Sequence, residues 1–178
     1  MLKRLLISLL LVFFFGSSHA QFDTVFAKTN IRLCADSMAM GFKTKNWDQY
    51  TRYSYPALIG SMGGKAAFRH HMDTLFRSIP DSVWKKYEPG RILQVIKTAG
   101  DLQAVIELNY VLEWQGYRTT TTTYLVGESW DGGLFWTFFN PEGDVTLAKL
   151  IKPDLSDQLI IPSKKEKGEP LVPGKKNQ

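Results

Sequence analysis

The residues of this chain best equipped for chemistry are one histidine and a set of aromatic rings with polar tips. His71 falls on the apolar side of a predicted helix, one turn from both Ala67 and Leu75. A neutral imidazole held there can work as a general acid or base near neutral pH; the plainer reading is a satisfied core histidine or one at the cavity rim. Tyr110, Trp114, Tyr117 and Trp136 are turned inward by the strand phase, and Tyr50 and Tyr53 face them from a short helix. Rings of this kind suit a mostly apolar ligand oriented by few hydrogen bonds, or they simply fill the interior. The ligand-binding set expected from the sequence is therefore Tyr50, Tyr53, His71, Tyr110, Trp114, Tyr117 and Trp136. No residue is assigned a catalytic role.

Other chemistries find little footing. His70 and His71 are adjacent, so on a helix they point about 100° apart and make a poor metal pair. Neither HxH nor HExxH occurs, and no metal site or cofactor is expected. Cys34 is the single cysteine, so no internal disulfide is possible. Nothing near it supplies an activating base, and its expected place is a helix's apolar face. Glu107 and Glu113 fall on the outward side of their strand, and Glu128 is expected on that side, opposite Phe135. There is no Gly-x-Ser-x-Gly, P-loop or dinucleotide fingerprint.

The elements that must position these residues are set by the stretch from Leu102 to Phe139. Its even positions (Leu102, Ala104, Ile106, Leu108, Tyr110, Leu112, Trp114) alternate with a more polar odd set, the mark of a strand with one buried face. Gln115-Gly116 makes a two-residue hairpin turn, setting Trp114 opposite Tyr117, Leu112 opposite Thr119 and Tyr110 opposite Thr121. Thr119 to Thr123 are all β-branched and favour extended chain. Asp131-Gly132 turns into a third strand, Gly133 to Asn140, and Gly100-Asp101 hinges a further one, Arg91 to Ala99.

Upstream, apolar spacings of three and four predict a helix from Ala27 to Phe42. Asn46 caps a short second helix through Tyr53, Pro56 to Met62 is an apolar connector, and Lys65 to Arg77 is a third helix. Downstream, Val145 to Ile151 gives a helical turn or two, and Leu155 to Pro162 an edge strand or extended cover. From Ser163 the composition collapses to Lys, Glu, Gly and Pro and predicts disorder. The fold class is α+β, a cone-shaped curved antiparallel sheet packed on three N-terminal helices.

Lys3 and Arg4, an apolar run from Leu5 to Phe15, and Ser18-His19-Ala20 read as a signal peptide cleaved after Ala20. Eleven apolar residues fall short of the roughly 20 that a span needs. A periplasmic or secreted domain from residue 21 to 162 is expected, with no membrane span after cleavage and a tail at 163–178. The formal charge of +5 does not describe that domain, because between Gln21 and Ile161 acidic and basic residues balance at 15 each. The excess lies in the leader and the tail, which argues against nucleic acid as a partner.

Three segments, YSYPALIGSMGGKAAF, SWDGGLFWTFFNPEG and LSDQLIIP, resemble small exported proteins of the nuclear transport factor 2-like (SnoaL-like) superfamily. The resemblance covers about Ala27 to Pro162 and implies the same cone, in a subgroup mostly without assigned activity. Catalytic members carry an Asp or a His–Asp pair inside the cone, and no carboxylate is placed inside here. The expected role is accordingly a non-catalytic binder of a small apolar ligand or a protein partner. The alternative is an isomerase, dehydratase or cyclase using His71 and a buried tyrosine. The outer sheet face carries Val105, Val111, Tyr124, Val126, Phe135 and Phe139, a patch that calls for cover. Either the chain's own Val145 to Ile161 lies over it, or a second copy does; the resemblance implies a homodimer through this face.

Overall fold

Asp23 is the N-cap of the first described helix, its carboxylate accepting from the backbone N–H groups of Val25 and Phe26. The computed structural model describes residues 23–171; the expected leader and residues 172–178 of the expected tail lie outside that range. Helix α1 (Thr24–Lys43) buries Ala27, Ile31, Cys34, Ala35, Met38 and Phe42, the predicted stripe. Asn46 caps α2 (Trp47–Tyr53) by accepting from Gln49 N. The expected connector is a helix, α3 (Pro56–Ser61). Pro56 ends α2 and also occupies the first turn of α3, where its fixed φ and missing N–H do no harm. Gly63 and Gly64, at φ 89° and 92°, take the left-handed step into α4 (Lys65–Phe76) that other residues resist. Among the described residues four helices, not three, therefore precede the sheet.

A 3-10 turn (Asp81–Val83) leads into β1 (Trp84–Lys97), followed by β2 (Leu102–Trp114), β3 (Tyr117–Ser129) and β4 (Thr137–Phe139). The strands lie in sequence order in a curved antiparallel sheet that does not close into a barrel. The predicted β2–β3 register holds from Trp114↔Tyr117 to Leu102↔Ser129. Strand β1 begins at Trp84 rather than Arg91, because Pro89-Gly90 lies within a bulge and does not break the strand. There a Cβ on Gly90 would fall 2.8 Å from Glu107 Cβ. Strand β4 is shorter than expected and Glu128 pairs with Thr137, not Phe135. The reason is Asp131, whose carboxylate accepts from Leu134 N, Phe135 N and the Ser129 hydroxyl and so rolls the chain into a wider loop.

Two apolar layers result. Leu102, Ala104, Ile106, Leu108 and Leu125 meet the α1 stripe, Trp136 and Phe138 on the inner face. On the outer face Val105, Tyr124, Val126 and Phe139, each at most 3% exposed, lie under Tyr55, Ala148, Leu155, Leu159 and Ile161. That cover is α5 (Val145–Ile151), capped by Asp144, and a turn-rich return that forms no strand. Of the two covers the sequence allowed, the chain itself supplies this one. The homodimer expectation loses the apolar area on which it rested, and Phe135 belongs to the inner cluster instead.

The disorder expected from Ser163 onward is corrected by β5 (Lys165–Pro170), which pairs with the first half of β3 from Thr122↔Lys165 to Tyr117↔Pro170. All six of its residues are exposed. Composition registers side-chain burial, whereas this strand is held by main-chain hydrogen bonds that occupy an otherwise open edge. Among the described residues no helix is long and apolar enough to cross a membrane.

Candidate functional site

Phe42 stands at the centre of the inner layer. Its ring stacks on Tyr87 at 4.1 Å and meets Trp84 at 4.8 Å and Phe76 at 5.0 Å edge-on, with Tyr50 and Trp47 near 6 Å. Trp136 is fully buried and donates its indole N–H to Gly133 O at 3.1 Å. Tyr50 and Tyr87 share a hydroxyl contact. Burial pushes the Tyr50 hydroxyl up to about 12, the partner offsetting only part of that. Burial likewise drives Tyr87 well above the ordinary tyrosine value. Both groups favour the fold while protonated, and that contribution fades as pH rises past the unfolded value of about 10. Absorbance titration at 295 nm should therefore show a late class of tyrosines that ionises only at about pH 12 or with unfolding. A single wave near pH 10 would contradict it.

The seven expected site residues do not form one pocket. Tyr50, Tyr110 and Trp136 lie in or against the inner layer. Tyr53 stacks on Phe135 at 5.4 Å, with the Arg52 guanidinium 5.8 Å from each ring. His71 is exposed, a correction to its expected place in the cone. Helix α4 buries only the narrow stripe of Phe68 and Met72, with Phe76 packed against it, so His71 and Leu75 fall off its edge. Of the two groups named for the enzymatic alternative, the tyrosines lie in the inner layer and His71 does not.

Trp114 and Tyr117 are also not interior; they are 47% and 60% exposed at the tip of the β2–β3 hairpin. Gln115 and Gly116 make the turn between them at φ 50° and 81°, both positive as a type I′ turn requires. The hairpin projects past the helices, and its end turns these rings toward Trp84, Phe76, Ile79, Val83 and Leu112. Together they line a groove of about 570 Å³ with no Asp, Glu, Lys, Arg or His in its wall. It can hold an apolar body, and the polar groups in its wall are the tips of Trp84, Trp114, Tyr117, Thr119 and Gln115.

A second constellation escaped the sequence. Lys152 is fully buried at the end of α5, and its ammonium meets Asp101 at 2.9 Å, Asp154 at 3.0 Å and Glu128. Around it Gln103 donates to both Asp101 oxygens and accepts from Ser156 N. Trp130 Nε1 donates to Glu128 at 2.6 Å, and the Tyr55 and Trp130 rings lie within 6 Å of Nζ. Burial alone would pull the Lys152 ammonium down, but hydrogen bonds to Asp101, Glu128 and Asp154 hold it far above its ordinary value. Burial pushes Asp101 up, and the hydrogen bonds from Lys152, Thr98 and Gln103 bring it below the usual range. Glu128 stays raised, burial outweighing Lys152 and Trp130. Oxygens of Asp101, Glu128 and Asp154 lie within 4.8 Å of one another, a hard-cation donor set, yet the lysine is the cation among them. The cluster is a clamp that fastens the return segment to the sheet. Only Gln103 and Asp101, polar residues beside the buried Val105, hinted at it.

The fold and its grooves define an α+β domain of N-terminal helices on a curved, unclosed antiparallel sheet, with an apolar groove at the hairpin end. No family model, characterised protein or solved structure matches the chain.

Proposed function

We propose that this chain is an exported, non-catalytic domain of the nuclear transport factor 2-like kind that binds a small apolar molecule in the hairpin groove. The observation that carries the reading is the pair Trp114 and Tyr117, large rings left half or more in solvent and facing further apolar side chains. Exposed rings gathered in a concavity mark a recognition surface rather than leftover core. The groove's volume falls within the range of about 300–1,000 Å³ typical of small-molecule sites. Trp and Tyr tips and the Gln115 amide supply the few polar groups that orient such a ligand. Export is supported by the leader's basic, apolar and small-residue sequence.

The test uses the neutral fluorophore N-phenyl-1-naphthylamine. Wild-type protein should bind it one to one, with quenching of tryptophan emission. Trp114→Ala should weaken binding about tenfold or more, the loss expected when a central ring contributing over about 1.4 kcal/mol is removed. Tyr117→Ala should weaken it less, and both variants should fold normally because neither ring is buried. Uptake unchanged in Trp114→Ala would sink the reading.

A further inference from the structure

A cleft of about 690 Å³, sharing no lining residue with the hairpin groove, is found where α2, α3 and α4 meet the β3–β4 loop. Its floor is apolar, chiefly Ile59 and Phe135, and its rim carries Arg52, Lys65, Arg69 and one acid, Asp48. Asp48 is already engaged by Arg69. Arg52 and Lys65 have no carboxylate within ion-pair distance among the described residues, so the rim has two uncompensated positive charges. The Arg52 guanidinium rests on the Tyr53 and Phe135 rings, which orient the group without neutralising it. Lys65 opens α4, whose first turn has no side-chain cap, and the unpaired N–H groups there add to the positive potential. The hydroxyls of Thr51 and Ser54 donate back to Trp47 O and Tyr50 O, so the cations and the Thr137 hydroxyl are the side-chain donors left for a ligand.

We propose that this cleft binds an anionic amphiphile, a carboxylate, sulfonate or phosphate head on an apolar body. The head lies between Arg52 and Lys65 and the body on Ile59 and Phe135. A bare anion would leave the apolar floor in water, and a neutral hydrocarbon would leave two cations unanswered; only a ligand with both parts uses the whole cleft. The site is independent of the hairpin groove and stands whether or not that groove binds anything.

The probe is 8-anilinonaphthalene-1-sulfonate, titrated against wild type, the double variant Arg52→Gln/Lys65→Gln, and Trp114→Ala. The double variant should bind about tenfold or more weakly while keeping its affinity for neutral N-phenyl-1-naphthylamine. Trp114→Ala should bind the sulfonate as wild type does. The charge-conserving pair Arg52→Lys/Lys65→Arg should recover most of the affinity, and raising salt from about 0.02 to 0.5 M should weaken it. Near-UV circular dichroism checks that the fold is kept; the three substituted positions, Arg52, Lys65 and Trp114, are all exposed. Four results each overturn the proposal. They are no sulfonate binding to wild type, undiminished binding in the double variant, loss of binding in Trp114→Ala, and displacement of the bound dye by an equal concentration of inorganic sulfate.

Discussion

Lys152→Met is expected to lower the unfolding free energy by about 3–5 kcal/mol, the cost of removing one partner from a buried ionic cluster. Urea titration at pH 7 reads it directly. The size follows from what is left behind. Asp101 and Glu128 have side chains 2% exposed and would face each other with no cation between them. Against a total stability of about 5–15 kcal/mol for a domain of this kind, that is a large share. The triple variant Asp101→Asn/Glu128→Gln/Lys152→Met should recover part of the loss, since it removes the stranded charge along with the cation. The pH response has a definite sign. Lys152, raised in the fold, contributes fully below its unfolded value of about 10.4, and the contribution is lost as pH climbs above it. Asp101, depressed in the fold, contributes above about 3.9, and this is lost as pH falls through its folded value. Glu128 is raised and works the other way in acid, favouring the fold where it is protonated, so the acid limb is shallow. Wild type should show a steeper alkaline limb than Lys152→Met, which keeps only the contribution of the buried tyrosines and loses that of the lysine. A loss under about 1 kcal/mol at pH 7 would mean that the clamp does not hold the return segment.

Much of the scaffold could be read before any coordinates, and the reasons are local. Strand alternation and the Gln115-Gly116 turn act within a few residues, and together they fix the whole β2–β3 register. The α1 stripe is likewise a matter of helical phase. What escaped depends on partners far along the chain. Lys152 lies 24 residues from Glu128, and no periodicity marks an ion pair sealed beneath a returning segment. Strand β5 escaped because its order comes from backbone pairing with β3, which composition does not record. His71 was misplaced because α4 buries a narrower stripe than an apolar count suggests, leaving Leu75 51% exposed as well. Trp114 and Tyr117 were assigned the correct strand face. Yet a strand's face settles which side a residue takes, not whether a helix reaches far enough to cover it. The hairpin outruns its roof, and the candidate groove exists for that reason.

Phe42→Ala is expected to cost about 3–5 kcal/mol, the range for deleting a buried aromatic ring that its neighbours cannot collapse to replace. Four of those neighbours are themselves rigid rings, Trp47, Phe76, Trp84 and Tyr87, on three different elements, α2, α4 and β1, so little rearrangement can fill the void. The void would also reach the hairpin groove. Phe76 and Trp84 touch Phe42 on one side and line the groove on the other, so the interior cluster is the groove's back wall. Phe42→Ala should therefore weaken N-phenyl-1-naphthylamine binding while leaving the sulfonate probe, bound in a cleft that shares no wall residue with the groove, nearly unaffected. Phe42→Leu, which keeps most of the volume, should cost less on both readouts. Thermal and urea unfolding give the stability term, and paired titrations of the two probes give the coupling. A cost under about 1.5 kcal/mol would show that the rings around Phe42 have slack; a groove affinity that ignores the substitution would separate the core from the site it is held to support.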